Sequence, residues 1–338
     1  MKVLFLIQGF SVAASRYRVL QYVPYLESKG VEAEVSLYPR TLKENFRFFN
    51  DLSRYDIVFL QRKRFSQPRL GLLRRKAKRI VYDFDDSVMY RNSKANDPLS
   101  STRRRRFVQM IKNSDFVIAG NEFLRKQVFP FNPNVEVIPT AIDQERYHLK
   151  TYSARQEEVI LGWIGDHGSI HYLEKMKPIF ERIGERCSHA ELKIVCDTFF
   201  DCDRLKVIKK NWSPEEEVAD LQGFDIGLMP LVDDPWSWGK CGLKIIQYQG
   251  VGVPVVCTPV GINKDLVEDG ANGYYATTPS EWEEKLSYLI EHPELREEMG
   301  REGRKRVLKN YTLQTCAPRL LSILSQVIEN PVKERRPH

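Results

Sequence analysis

The sequence predicts an α/β protein built from two doubly wound parallel sheets, and three observations carry that expectation. Short, mainly apolar runs such as KVLFLI at 2–7 and DFVIA at 115–119 alternate with helical segments, the pattern of strands covered on both faces by crossover helices. The pattern then restarts: VILGWIG at 159–165 ends in Gly165 and leads into a helix, repeating the strand, glycine turn and helix start of the first residues. Finally, 338 residues exceed one ordinary core and suit two domains of roughly 150 to 170 residues each. The expected division is 1–150 and 151–312, with a polar boundary at 149–156.

In the first block, the strand at 2–7 ends in Gln8-Gly9-Phe10, where glycine permits a tight turn before a helix expected over 15–29. Further strands are expected at 31–37, 55–61, 79–83, 115–119 and 135–138. In the second block, strands are expected at 159–165, 192–196, near Val207, at 225–229 and at 254–257. Helices are expected at 170–187, 215–221, 282–290 and 293–308. A last amphipathic helix, 313–328, is longer than a cap on the second domain needs, and the tail 330–338 reads as frayed.

Apolar residues make up 42% of the chain and charged residues 29%, so it reads as an ordinary soluble globular protein. No run approaches the ~18 apolar residues of a spanning helix. The start MKVLFLIQGF has too short an apolar core for a signal peptide, which makes the cytoplasm the expected location. Six cysteines show no C-x-x-C pair and no histidine partners, which argues against a zinc site or a disulfide framework; Cys241, beside Lys240, is either a buried thiol or a partial thiolate. The net charge of +7 fits an anionic ligand, an anionic membrane or nucleic acid, and much of it is concentrated at Arg62–Arg64, Arg69–Arg79 and Arg103–Arg106.

Ligands of doubly wound sheets gather at the carboxyl ends of strands. Three features stand there in the first block: Arg16 and Arg18 after the Gly9 turn, Asp83, Asp85 and Asp86 in DFDD, and Asn121 with Glu122. Arg16 and Arg18 read equally well as a solvated helix turn. Three acids in four residues repel one another unless a cation or polar substrate sits among them; magnesium or an arginine from the same domain would serve. In the second block the stretch 238–259, WGKCGLKIIQYQGVGVPVVCTP, holds Lys240 in a loop and Lys244, Gln247 and Tyr248 on a short helix. A helix start flanked by two lysines is an anion site in waiting, because its free amides and dipole already favour negative charge. An isolated Lys-x3-Lys would more often be solvated surface.

With these residues assembled, the chain resembles the GT-B glycosyltransferases, specifically the retaining enzymes of glycosyltransferase family 4. The resemblance is carried by the strand ending in Gly165, by DIGLMPL at 225–231, GLKIIQYQGVGVPVV at 242–256 and TPVGINKDLVEDGANG at 258–273, and by the helix pair after Pro279. In the first domain VIPTAIDQERYH at 137–148, SRYR at 15–18 and YDFDD at 82–86 are similar to family segments. The resemblance implies two Rossmann-like domains facing across a cleft, with helix 313–330 returning to the first. A nucleotide-sugar donor would be held by the second domain, through Gly165, Ser169, Lys240, Lys244, Gln247 and Tyr248. A glycan or lipid-linked acceptor would be held by the first, through Gly9, Arg16 and Arg18, with Asp83, Asp85 and Asp86 as the catalytic group. It further implies no metal and no cofactor beyond the nucleotide-sugar substrate.

Two positions depart from the family pattern. Gln247 stands where the second glutamate of a Glu-x7-Glu pair contacts ribose hydroxyls, and Gly239 stands where the first glutamate faces the transferred sugar. Asp233, Asp234, Trp236 and Trp238 are candidates for lining that space, or are simply an exposed loop. His167 and His171 are donor contacts or polar surface. A nucleotide-sugar epimerase of the same fold and a non-catalytic nucleotide-sugar-binding scaffold are the alternative functions. Arg103–Arg106 lacks interleaved aromatics, so nucleic acid is not an expected partner, and an anionic surface at the inner face of the membrane is.

Overall fold

The computed structural model describes residues 1–152 and 158–329. The expected boundary at 149–156 therefore lies partly, and the expected frayed tail at 330–338 wholly, outside the described residues. Two compact units emerge: Met1–Ala141 with Asp234–Cys241 and the C-terminal helix, and Ile142–Asp233 with Gly242–Thr312.

In the first unit six parallel strands, β1 (Lys2–Ile7), β2 (Glu32–Leu37), β3 (Ile57–Gln61), β4 (Ile80–Phe84), β5 (Phe116–Ala119) and β6 (Val135–Val137), lie in the order β2-β1-β3-β4-β5-β6. The inner strands are mainly apolar because both faces are covered, with Gln61 and Asp83 the polar residues of β3 and β4. One face carries α3 (Leu42–Asp51), α4 (Gln67–Lys76), α5 (Ser101–Asn113) and α6 (Glu122–Val128), whose Phe49, Leu70, Leu73, Phe107, Met110 and Leu124 pack on Leu4, Leu6, Val58, Leu60, Tyr82 and Phe84. The other face carries α1 (Ala13–Arg18) and α2 (Val23–Ser28), joined through a 3₁₀ turn at Leu20–Tyr22. The helix expected over 15–29 is thus interrupted. Pro24, which has no amide hydrogen to give, stands in the first turn of α2, where none is needed.

The second unit repeats the plan with β7 (Val159–Ile164), β8 (Ala190–Cys196), β9 (Lys206–Asn211), β10 (Ile226–Met229), β11 (Val255–Cys257) and β12 (Gly273–Tyr275), ordered β12-β11-β10-β7-β8-β9 and parallel throughout. Its helices are α7 (Ile170–Glu174), α8 (Lys177–Arg186), α9 (Glu217–Gln222), α11 (Leu243–Gly250), α12 (Asn263–Leu266), α13 (Pro279–Glu291) and α14 (Pro293–Asn310); α10 (Pro235–Trp238) belongs to the first unit. The helix expected over 170–187 is two helices, with Pro178 in the opening turn of the second. The last helix, α15 (Leu313–Glu329), lays Cys316, Ala317, Leu320, Ile323, Leu324 and Val327 into the core of the first unit, together with Val3, Phe5, Val19 and Tyr22. No helix among the described residues is long and apolar enough to cross a membrane.

Candidate functional site

In the first unit the candidate residues meet at the carboxyl end of the sheet. Alternation along β4 sends Ile80, Tyr82 and Phe84 to one core and Val81 to the other, so Asp83 points into the α1 side, where it is 1% exposed. A carboxylate buried there needs a partner. Arg18, at the end of α1, supplies it: Nε donates to Asp83 Oδ2 at 3.2 Å, Nη2 donates to Oδ1, and Nη1 donates to the Ile138 carbonyl at 2.6 Å. Burial works to strip the guanidinium of its proton, but the charge and hydrogen bonds of Asp83 outweigh it and hold Arg18 above its ordinary pKa. Next to this pair Ser15 donates to Gln61 Oε1 at 2.8 Å, and Gln61 lies opposite Asp83 in the sheet register. Arg16 instead lies over the Tyr17 ring, 5.1 Å from its centroid, and donates to the Tyr17 hydroxyl at 3.3 Å. In the turn before α1, the Val12 amide donates to the Gly9 carbonyl at 3.3 Å.

The rest of the acidic cluster is bridged by Arg62, which the sequence reading counted as charge and nothing more. Its Nε donates to Asp85 Oδ1, and Nη2 lies 2.8 Å from Asp86 Oδ2. Arg62 follows β3 in the left-handed region at φ 56°, alone among the described non-glycine residues. That conformation is held by its own amide donating to the Asp83 carbonyl at 2.8 Å and by Tyr82 Oη donating to its carbonyl at 3.1 Å. Lys240 adds a third cation, 3.5 Å from Asp86 and 5.3 Å from the centroid of the Trp236 ring. The repulsion expected of DFDD is thus relieved by Arg18, Arg62 and Lys240, and no group of His, Cys, Asp or Glu among the described residues is arranged to hold a metal.

Burial works to raise the Asp85 carboxyl, yet Arg62, with help from Arg18 and Lys240, holds it below its usual value. A carboxylate depressed in the folded state stabilises the fold fully above its unfolded pKa of ~3.9 and loses that contribution as pH falls below it. The stability difference between the parent and Asp85→Asn, read from urea midpoints, is therefore expected to be large at pH 6 and to shrink toward pH 3. A difference that stays constant over that range would contradict the charge network.

The segment Asp234–Cys241 is fastened to the same place. Asp234 caps α10 by accepting from the Ser237 amide at 2.7 Å, Ser87 Oγ donates to the Pro235 carbonyl at 2.7 Å, and Asn121 Nδ2 donates to the Lys240 carbonyl at 2.9 Å. Trp238 packs edge-on against Phe123. Gly239 lies against Ser87 so closely that a Cβ would sit 2.1 Å from Ser87 Oγ and 2.7 Å from its amide nitrogen. Cys241 is buried in the core, where burial first and Asp85 second push its thiol well above the ordinary range, so it is a packed thiol with no thiolate character.

In the second unit Trp163 brings two predicted residues together. Its indole covers Gly165, where a Cβ would lie 2.2 Å from the ring, and Lys244 Nζ stands 5.3 Å from the ring centroid. Lys244 is in the first turn of α11, whose cap residue Gly242, at φ 67°, offers no side chain to the opening amides. A larger residue at Gly242 would strain that backbone and strike Leu266 Cδ1 at 2.1 Å. Ser169 stands just before the short α7 without a side-chain bond to its amides and donates to Asp166 Oδ1 at 2.9 Å, while His167 Nδ1 lies 2.7 Å from Asp197. Gln247 and Tyr248 turn inward. Gln247 Nε2 donates to the Tyr147 hydroxyl at 2.9 Å, and that hydroxyl donates to Glu217 at 2.9 Å. Tyr248 is fully buried, accepting from the Ile164 amide at 3.2 Å and donating to the Leu228 carbonyl at 3.4 Å. In this arrangement the Tyr248 hydroxyl braces β7 against β10.

Comparison with known proteins agrees with this architecture. Residues 177–322 match the family model described as "Glycosyl transferase-like". A trehalose synthase of Pyrococcus horikoshii is 35% identical over 86 residues, a match that takes in 25% of this chain and 21% of the relative's own length. Among solved structures, Anabaena HepE in complex with UDP and glucose superposes with a TM-score of 0.73 at 16% identity, over 96% of this chain and 99% of that one. Sucrose-phosphate synthase from Thermosynechococcus elongatus superposes with a TM-score of 0.72 at 13% identity, over 96% and 98%. The chain thus has the GT-B fold, with a glycosyl transferase-like segment over residues 177–322.

Proposed function

We propose that this protein is a retaining glycosyltransferase that moves a sugar from a nucleoside-diphosphate sugar to a glycan or lipid-linked acceptor at the inner face of a membrane. The observation that carries the reading is the grouping of Lys244, the uncapped start of α11 and the Gly165 turn around Trp163. Opening amides, the helix dipole and a lysine in the first turn together favour a diphosphate. The same charges would stabilise the leaving nucleoside diphosphate as it gains charge, so the transfer is proposed to need neither a metal nor a cofactor beyond the donor. The superposition with HepE, whose structures contain UDP or UDP-glucose, supports the same reading.

In this proposal the second unit holds the donor, with Ser169 near the phosphates. The first unit holds the acceptor near Gly9 and Arg16, and Asp85 and Asp86 orient hydroxyl groups. A second reading, nucleotide-sugar binding without transfer, is favoured by Gly239, which brings no side chain to the sugar.

A thermal-shift series with UDP, GDP and ADP tests the proposal. One nucleotide is expected to raise Tm, and Lys244→Ala to weaken its binding by roughly 10- to 100-fold, the usual consequence of losing a charge-assisted hydrogen bond. No shift with any of the three at millimolar concentration would sink the reading. Donor binding with neither hydrolysis nor transfer would leave the second reading in place.

A further inference from the structure

On α3 the two most exposed large apolar side chains of the described residues stand one turn apart: Leu42 is 91% exposed and Phe46 73%. The helix does not need them for its own packing, since its inward flank is held by Phe49 and Phe48. Lys43 and Arg47 flank the exposed pair, and the acids of this helix are already committed. Glu44 accepts from the Arg40 and Thr41 amides in a capping box, and Asp51 lies 3.7 Å from Arg47 and 4.0 Å from Arg54.

The two helices that follow extend the same surface. Arg69 of α4 donates to Asn45 of α3, and α4 also carries Arg74, Arg75 and Lys76, with Leu72 exposed. Helix α5 carries Arg103–Arg106 and Lys112, and neither α4 nor α5 contains an acidic residue. Arg74 is spent on Asp115 and Arg103 on the Tyr90 carbonyl. Arg75, Lys76, Arg104, Arg105 and Arg106 are exposed and make no ion pair among the described residues. All three helices lie on one face of the first sheet, so apolar anchors and unneutralised cations share one surface.

We infer that the α3–α4–α5 face docks on an anionic lipid bilayer, with Leu42 and Phe46 entering the interface and the arginines of α4 and α5 meeting the headgroups. Like charges left side by side call for a counter-charge, and anionic headgroups supply one over an extended plane. The exposed apolar pair selects a bilayer over nucleic acid, because leucine and a lone phenylalanine gain from hydrocarbon and form no stacking platform. The inference deepens the proposed function and rests on it only for the use the surface serves. Helix α3 begins just past the carboxyl end of β2, and β2 runs in register beside β1, the strand that leads to Gly9, so docking would bring the proposed acceptor residues to the lipid.

The test is flotation of the full chain with vesicles of phosphatidylcholine alone or with about 30% phosphatidylglycerol, at low and raised salt. The protein is expected to float with the anionic vesicles only, and raised salt should reduce binding. Leu42→Ser with Phe46→Ser is expected to lower the bound fraction by about tenfold, and Arg104→Ser with Arg105→Ser to do the same. Phe46→Trp should give a blue-shifted emission on anionic vesicles. No flotation at low salt, or flotation indifferent to the Leu42 and Phe46 changes, overturns the inference, as does retention of single-stranded RNA in place of vesicles. The nucleotide thermal shift keeps the two proposals separate: a parent that gains stability from a nucleoside diphosphate yet fails to float rules out the docking and leaves the transferase reading standing.

Discussion

Replacing Arg18 by alanine is expected to cost the first unit about 3–5 kcal/mol, because it strands the Asp83 carboxylate at a position with no access to water. At this size that amounts to a fall in Tm of roughly 10 °C, read by calorimetry or by the urea midpoint. The conservative Arg18→Lys should recover little, since one ammonium cannot serve Asp83 Oδ1, Oδ2 and the Ile138 carbonyl together. The double variant Arg18→Met with Asp83→Leu should return most of the stability, as buried ion pairs replaced by apolar groups of similar volume commonly do. If the single variant keeps the parental Tm, the pair is not the anchor its geometry indicates. If the double variant is as unstable as the single one, the loss lies in packing and not in charge.

Installing a glutamate at Gly239, the residue type the resemblance leads one to expect there, is expected to harm the protein. The new Cβ would overlap Ser87 at its hydroxyl and its backbone amide, and the backbone cannot swing aside as a side chain could. Overpacking of this kind typically costs about 1–3 kcal/mol. The Ser87 bond to the Pro235 carbonyl and the Asn121 bond to the Lys240 carbonyl would loosen with it. Gly239→Glu should therefore show a lower Tm than the parent and no gain in sugar transfer or donor hydrolysis, with Gly239→Ala intermediate. A stable and more active Gly239→Glu would refute the packing explanation for the glycine.

The sheets were legible in the sequence because strands covered on both faces must be apolar along nearly their whole length, as IVFLQ and IVYDF are apart from Gln61 and Asp83 near their carboxyl ends. The long helices were legible from their periodicity, though two expected helices broke near Pro24 and Pro178, where the ring fits only an opening turn. What could not be read was who meets whom. DFDD announced a need for cations but did not say that Arg62 would answer it, since nothing local marks an arginine bound for a left-handed conformation. Gly239 read as a missing side chain, and its reason is Ser87, whose hydroxyl bonds the same segment across 148 residues of chain. Tyr248 and Gln247 shared a helix face with Lys244 on paper. The fold turns that face inward at both, and leaves Lys244 at the rim over Trp163.

The division of the chain also bears on the order in which its parts can be completed during synthesis. The second unit ends at Thr312, whereas the α1 side of the first sheet is covered only by α1 and α2 until α15 has been made, and Asp86 meets Lys240 only after the strap at Asp234–Cys241 has been added. The unit that comes first in this sequence is therefore the one completed last. Its apolar strands emerge from the ribosome long before α15, so the nascent chain carries a half-clad sheet until that helix is made.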